Sequence, residues 1–183
     1  MPYLMKKVPP ADLEQAAEVM EDGRRFLKES GSSQWQHGLP SKELLAEDIA
    51  EGKLFGLYQD DLLVAICAFS LIPDPSYRVI YDGKWLTAGA SYLTMHTFAF
   101  RSGFRGCGLS HLVFQEAERQ AQIHHLSSIR GDTYKKNQVM QHVFIKEGFT
   151  RCGTILLVNE KIDNDRLAFE KIIGKEKKDG KEN

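Results

Sequence analysis

FRGCGLS, residues 104–110, joins the apolar run SYLTMHTFAF (91–100) to a segment with helical periodicity. Two glycines two apart, beside an arginine and between a strand and a helix, mark a turn suited to an anion. The N–H groups that open a helix have no partner within it and point out of its end, and the helix dipole adds positive potential there. Glycine lets the backbone come close to that anion. A phosphate-bearing ligand is therefore expected.

Working outward, the periodicity predicts a mixed α/β chain. Strands are expected at 3–8, 54–59, 62–72, 91–100, 126–133, 149–158 and 166–173. Helices are expected after Pro9-Pro10, with Asp12 and Gln15 as a capping box and Leu13, Ala16, Ala17, Met20 and Leu27 as the apolar stripe. Further helices are expected from Ser41, over 109–124, and over 137–147 with Gly148 as the stop. Residues 30–40 and 72–85 read as loops rich in turn formers. The closing strand pair argues against a fully parallel sheet. Residues 1–173 form one domain in this reading, and the lysine-rich 174–183 form a charged, disordered tail.

Composition narrows the function. The 24 basic and 25 acidic residues give a net charge of −1, so no global field favours nucleic acid or a membrane surface. No apolar run approaches the length of a membrane span. The three cysteines, Cys67, Cys107 and Cys152, lack metal-ligand spacing, so no structural metal is expected. Isolated thiols and an early acidic N-terminus predict a reduced, cytoplasmic protein.

Three phosphate patterns compete for the turn. GFRGCGLS (103–110) fits the triphosphate loop G-x-x-x-x-G-K-[ST] except that Leu109 stands where a lysine must reach the outer phosphates. Gly106 and Gly108 begin a dinucleotide fingerprint, but His111 takes the place of the third glycine and no acidic ribose partner is evident. Third, Arg105-x-x-Gly108-x-Ser110 resembles the R/Q-x-x-G-x-G/A motif of the GNAT-type N-acetyltransferase superfamily. Residues 137–149, NQVMQHVFIKEGF, resemble that family's second half-site. FLKESGSSQWQHGLP and YDGKW resemble upstream segments of its smaller bacterial members.

The resemblance implies a GNAT-like fold, a mostly antiparallel α/β sheet with a central splayed parallel pair and helices on both faces. It implies acetyl-CoA as co-substrate and a primary amine as acceptor, small in size, with a homodimer as the common assembly. Arg105, Gly106, Cys107, Gly108, Leu109 and Ser110 would hold the pyrophosphate. The backbones of Phe98 and Phe100 would face the pantetheine arm, and Asn137 would hydrogen-bond it. Where many relatives carry a proton-donating tyrosine, this chain has Phe144, so Tyr134 or water is the substitute considered. His96 is the candidate base, its ordinary pKa being near neutrality, although a strand histidine also has a plain core reading. Gln34, Trp35, Tyr77, Trp85 and Asp132 are the candidate acceptor pocket. The missing phenol also supports a rival reading, a CoA-binding module without catalysis.

Overall fold

The structure is a computed structural model that describes residues 2–89, 91–160 and 164–174. The tail expected to be disordered lies, from residue 175 on, outside the described residues. Seven strands form one sheet: β1 (Tyr3–Lys7), β2 (Leu54–Gln59), β3 (Leu62–Ser70), β4 (Tyr92–Phe100), β5 (Ser128–Thr133), β6 (Thr150–Leu156) and β7 (Asp165–Ile172). Their order across the sheet is β1-β2-β3-β4-β5-β7-β6. Every neighbouring pair is antiparallel except β4 and β5. This is the mixed architecture the sequence predicts.

The helices are α1 (Leu13–Glu29), α2 (Lys42–Ala50), α3 (Ser110–Ile123) and α4 (Gln138–Lys146). Helix α1 turns Ala16, Val19, Met20 and Leu27 inward onto the β2–β4 face, with Leu45 and Ile49 of α2 beside them. Helix α3 packs Val113, Phe114, Ala117 and Ala121 into the core of the opposite face. There α4 adds Phe144, whose ring stacks on Phe169 at 4.8 Å and meets Phe114 and Phe149 edgewise or tilted. Burial of these rings, with the aliphatic side chains around them, stabilises that face.

The expected Asp12–Gln15 capping box does not form. Asp12 makes no side-chain cap; its carboxylate instead accepts from the Tyr58 hydroxyl at 2.8 Å, and the Gln15 carbonyl accepts from the Leu63 N–H. Tertiary partners across the α1–sheet interface outcompete the local bond. Ser41, by contrast, caps α2 by accepting from Leu44 N–H.

The excursion between β3 and β4 crosses a face of the sheet as a strap. Its 3₁₀ turn at Pro75–Tyr77 lays Tyr77 over Tyr92, and Tyr81 pairs with Thr154 on β6. On the return, Trp85 donates to the Tyr77 carbonyl and sits over the Arg130 guanidinium at 4.2 Å. Leu86 N–H, Thr87 N–H and the Thr87 hydroxyl all donate to Glu170. Glu170 also accepts from Ser128 and from Arg130 Nε at 2.9 Å. The side chains of this Arg130–Glu170 pair are 3% and 0% exposed, so the strap is tied down by a buried charge pair, and Arg130 Nη2 also donates to the Thr87 carbonyl.

Candidate active site

The parallel ladder between β4 and β5 is short. It pairs Tyr92–Met95 with Ser128–Gly131 and then stops. Beyond it β4 stays bonded to β3, but its register slips opposite Cys67, and Thr97 takes a left-handed φ of 52°. A β-branched residue in that region is strained, and such outliers gather at functional sites. The bulge bends β4 away from β5, and the Cys67 thiol lies 3.4 Å from the His96 carbonyl oxygen at the slip. Arg101 N–H bonds Val64 on β3. By strand alternation Phe98 and Phe100 then turn their backbone groups to the open side.

A cleft of about 530 Å³ follows this opening. Its walls include Phe26 and Trp35 from the N-terminal part, Met95–Phe100 of β4, the 104–110 turn, Asp132 and Thr133 of β5, and residues of α4. Gly106 and Gly108 both have φ of 74°, the region that glycine enters without a Cβ penalty. They bring the chain into α3, whose N-cap, Leu109, has no side-chain cap. The opening N–H groups of α3 thus lack a side-chain acceptor where the turn lines the cleft, a geometry able to receive an anion.

Several candidate residues take other roles than those expected. The Arg105 guanidinium donates to the Asp22 and Phe100 carbonyls and lies over Phe26, so it ties the turn to α1 while lining the cleft. Ser110 donates to Glu147 at 3.1 Å, which occupies the hydroxyl expected to reach a phosphate. Cys107 is exposed and Leu109 is largely core. Asn137 caps α4 by accepting from Met140 N–H, and its amide donates to Gln34 at 3.3 Å, joining two cleft walls.

Trp35 lies against Gly23 of α1, where a Cβ would come within 2.9 Å of its ring. The loop around it is held by Arg24, which donates to the Trp35 carbonyl. Tyr134 is 3% exposed, stacked beneath Arg166 and outside the cleft wall. Its phenol is not placed to serve the cleft. Tyr77 and Trp85 also stand behind the wall rather than in it, because the strap lays them flat on the sheet.

His96 is where the charges meet. Its Nε2 lies 3.3 Å from Asp74 Oδ2, and its side chain is 35% exposed. Burial opposes the imidazolium, but the Asp74 hydrogen bond and the negative charges of Asp132, Asp74 and Asp48 outweigh it and hold His96 above its ordinary pKa. Asp74 feels the same pair from the other side. Burial would raise it, but His96 and the Ser76 N–H hold it below the usual carboxylate range. Asp132 is pushed up by burial, and its Oδ1 accepts from the Tyr77 hydroxyl at 2.6 Å. Asp74 was not among the sequence candidates; no local pattern joins residue 74 to residue 96, and only the strap brings them together.

Comparison with protein-family models gives no match, and neither does comparison with the curated proteins. Among solved structures, a GNAT-family acetyltransferase from Streptococcus agalactiae is 32% identical, with a TM-score of 0.84 over 94% of this chain and 96% of its own. The chain belongs to the GNAT acetyltransferase family. A GNAT-family acetyltransferase from Listeria monocytogenes (20% identity, TM-score 0.69, 93% and 94% covered) shares the fold. So does the PaiA N-acetyltransferase of Thermoplasma acidophilum, solved with coenzyme A (16% identity, TM-score 0.69, 94% and 99% covered). As a GNAT chain its central features are the split β4–β5 ladder and the glycine turn that leads into α3.

No helix among the described residues is long and apolar enough to cross a membrane. Among them, no cluster of three histidine, cysteine, aspartate or glutamate side chains is arranged to hold a metal ion.

Proposed function

We propose that this GNAT chain transfers an acetyl group from acetyl-CoA to the primary amine of a small-molecule acceptor. One observation carries the reading. A single cleft joins an uncapped helix start at a glycine turn, an opened edge of β4, and a His–Asp pair.

The parts fit the co-substrate. The α3 start and the Gly106–Gly108 turn offer N–H groups to a pyrophosphate. The open side of Phe98 and the Phe100 N–H offer strand hydrogen bonds to an extended amide-bearing arm, as an added strand would take, while the Phe100 carbonyl is held by Arg105. Asp74 accepts from His96 Nε2–H, which leaves the lone pair of Nδ1 for the acceptor. An ammonium has no free electron pair, so the amine must be neutral at attack. His96 takes the proton the nitrogen sheds as it bonds to the acetyl carbon, while the C–S bond breaks and the sulfur leaves with its electron pair.

The test is calorimetric titration with acetyl-CoA, followed by a thiol-release assay over a panel of amines. Gly108→Ala, which forces a Cβ into the left-handed region, should weaken binding. Saturable acetyl-CoA binding with turnover of at least one amine supports the proposal. Tight binding with no turnover of any amine favours a CoA-binding module, the reading to which Phe144 lends support. A folded protein that binds no acetyl-CoA defeats both.

A further inference from the structure

Among the described residues, two buried side-chain oxygens lack a hydrogen-bond partner. Thr94 Oγ1 and Thr133 Oγ1 are enclosed and make no hydrogen bond among the described residues. A buried hydroxyl without a partner is costly and calls for an explanation. The two differ in place. Thr94 lies within the paired part of β4 and outside the cleft wall. Thr133 ends β5, is 1% exposed, and lines the cleft.

Its position in the strand is specific. The ladder closes at Met95 opposite Gly131. Thr133 follows two residues later on β5, past the end of that ladder, and Thr97 two residues later on β4. By strand alternation Thr133 shares the face of Gly131, and a Cβ on Gly131 would meet the Phe144 ring at 2.7 Å. Thr133 therefore lies on the side of the sheet that holds Phe144, the residue that has no hydroxyl to offer. Asp132 points the other way, to Tyr77 and His96. Tyr134 is turned beneath Arg166. Of these three consecutive side chains, only that of Thr133 can offer a donor to the Phe144 side of the gap.

We infer that Thr133 Oγ1–H is the hydrogen-bond donor to the departing thiolate sulfur, in a site whose Phe144 cannot supply one. The inference rests on the acetyl-transfer reading above. The hydroxyl keeps its proton. It stabilises the electron pair that sulfur carries away when the C–S bond breaks, while the proton lost by the amine goes to His96. The thiolate takes its own proton from solvent on release. An orphaned hydroxyl in the free protein then acquires its partner only when the co-substrate is in place.

The experiment compares Thr133→Val, Thr133→Ser and Thr94→Val in the full chain, by turnover and by titrating bound, unacylated CoA. Valine keeps the shape of threonine and removes only the hydroxyl. Thr133→Val should lower kcat by about 10–100-fold, the factor a hydrogen bond to an ionised group supports, with little change in KM for acetyl-CoA. Thr133→Ser should restore most of it, and Thr94→Val should leave it unchanged.

The second readout needs no acceptor. The ultraviolet absorbance of the bound thiolate should appear about one to two pH units higher in Thr133→Val than in the parent. Asp74, His96, Arg105, Asp132, His142, Lys146, Glu160 and Arg166, the titratable and charged groups along the cleft, are common to both proteins, so the difference isolates the hydroxyl. Unchanged kcat with an unshifted thiolate titration overturns the inference. Parent protein that takes up CoA but turns over no amine while the titration still shifts supports the donor role and removes only the catalytic reading. Parent protein that takes up no CoA removes both.

Discussion

Replacing Glu170 by glutamine tests whether the strap depends on a buried ion pair. The change keeps the shape and removes the charge. Five donors converge on this carboxylate: Leu86 N–H, Thr87 N–H, the Thr87 and Ser128 hydroxyls, and Arg130. The variant leaves the enclosed Arg130 guanidinium without its counter-ion and turns an amide NH₂ toward groups that are themselves donors. Removing one partner of such a pair costs about 3–5 kcal/mol. For a domain of this size each kcal/mol moves Tm by about 2–4 °C, so a drop of about 6–20 °C is expected. Denaturant and thermal unfolding by circular dichroism measure it.

The acid side of the same experiment has a fixed sign. Burial would raise the Glu170 pKa, but bonds from Ser128, Thr87 and Arg130 hold it below its ordinary value of 4.5. Its contribution to stability is therefore complete above that value and fades as pH falls through the lower folded value. Glu170→Gln should lose that part of the acid slope. A double variant, Arg130→Met with Glu170→Leu, should recover only part of the lost stability, because it removes the orphaned charge but leaves Leu86 N–H and Thr87 N–H without their acceptor. A loss below about 1 kcal/mol in Glu170→Gln would refute the claim that this pair anchors the strap.

Asp74→Asn should shift the acid limb of the kcat/KM profile to lower pH, since His96 loses the partner that raises its pKa and becomes neutral sooner. A pH–rate series reads this, and an unmoved limb would exclude His96 as the titrating base. Gly131→Ala should cost about 1–3 kcal/mol, because its Cβ would meet Phe144 at 2.7 Å while that ring is held by Phe114, Phe149 and Phe169; urea unfolding measures it. Arg105→Ala should weaken both stability and acetyl-CoA binding, as its guanidinium bridges Asp22 and Phe100 beside the turn; unfolding and calorimetry run together separate the two losses.

Elements with one clear period were legible in the sequence. Strand β2 falls at Leu54–Gln59 as predicted, and β4, α3 and α4 differ by a residue or two at their ends. The glycine turn was legible because its chemistry is local: two left-handed positions and a helix start lie within five residues. What sequence could not show depends on distant partners. Asp74 reaches His96 only through the strap, and Glu170 joins residues 86, 87, 128 and 130 from the last strand. The bulge at Thr97 leaves no mark in YLTMHTFAF, since its cause is a register slip against β3. The hydroxyl at Thr133 and the phenol at Tyr134 are neighbours in sequence, and only the strand's alternation decides which one meets the cleft.

The short seam between β4 and β5 has a consequence for how the chain can be assembled. Strands β1–β4 come from residues 3–100 and β5–β7 from residues 128–172, so each side of the seam is a contiguous stretch of chain. Four residue pairs are all the ladder that holds one to the other; the shared core around α3, the strap and the Asn137–Gln34 bond add to it. The protein is thus two plates riveted along one edge. A backbone nick in the exposed turn at His124-His125, where neither plate would be cut, is the place where two fragments could still find each other, with a ligand in the gap acting as mortar.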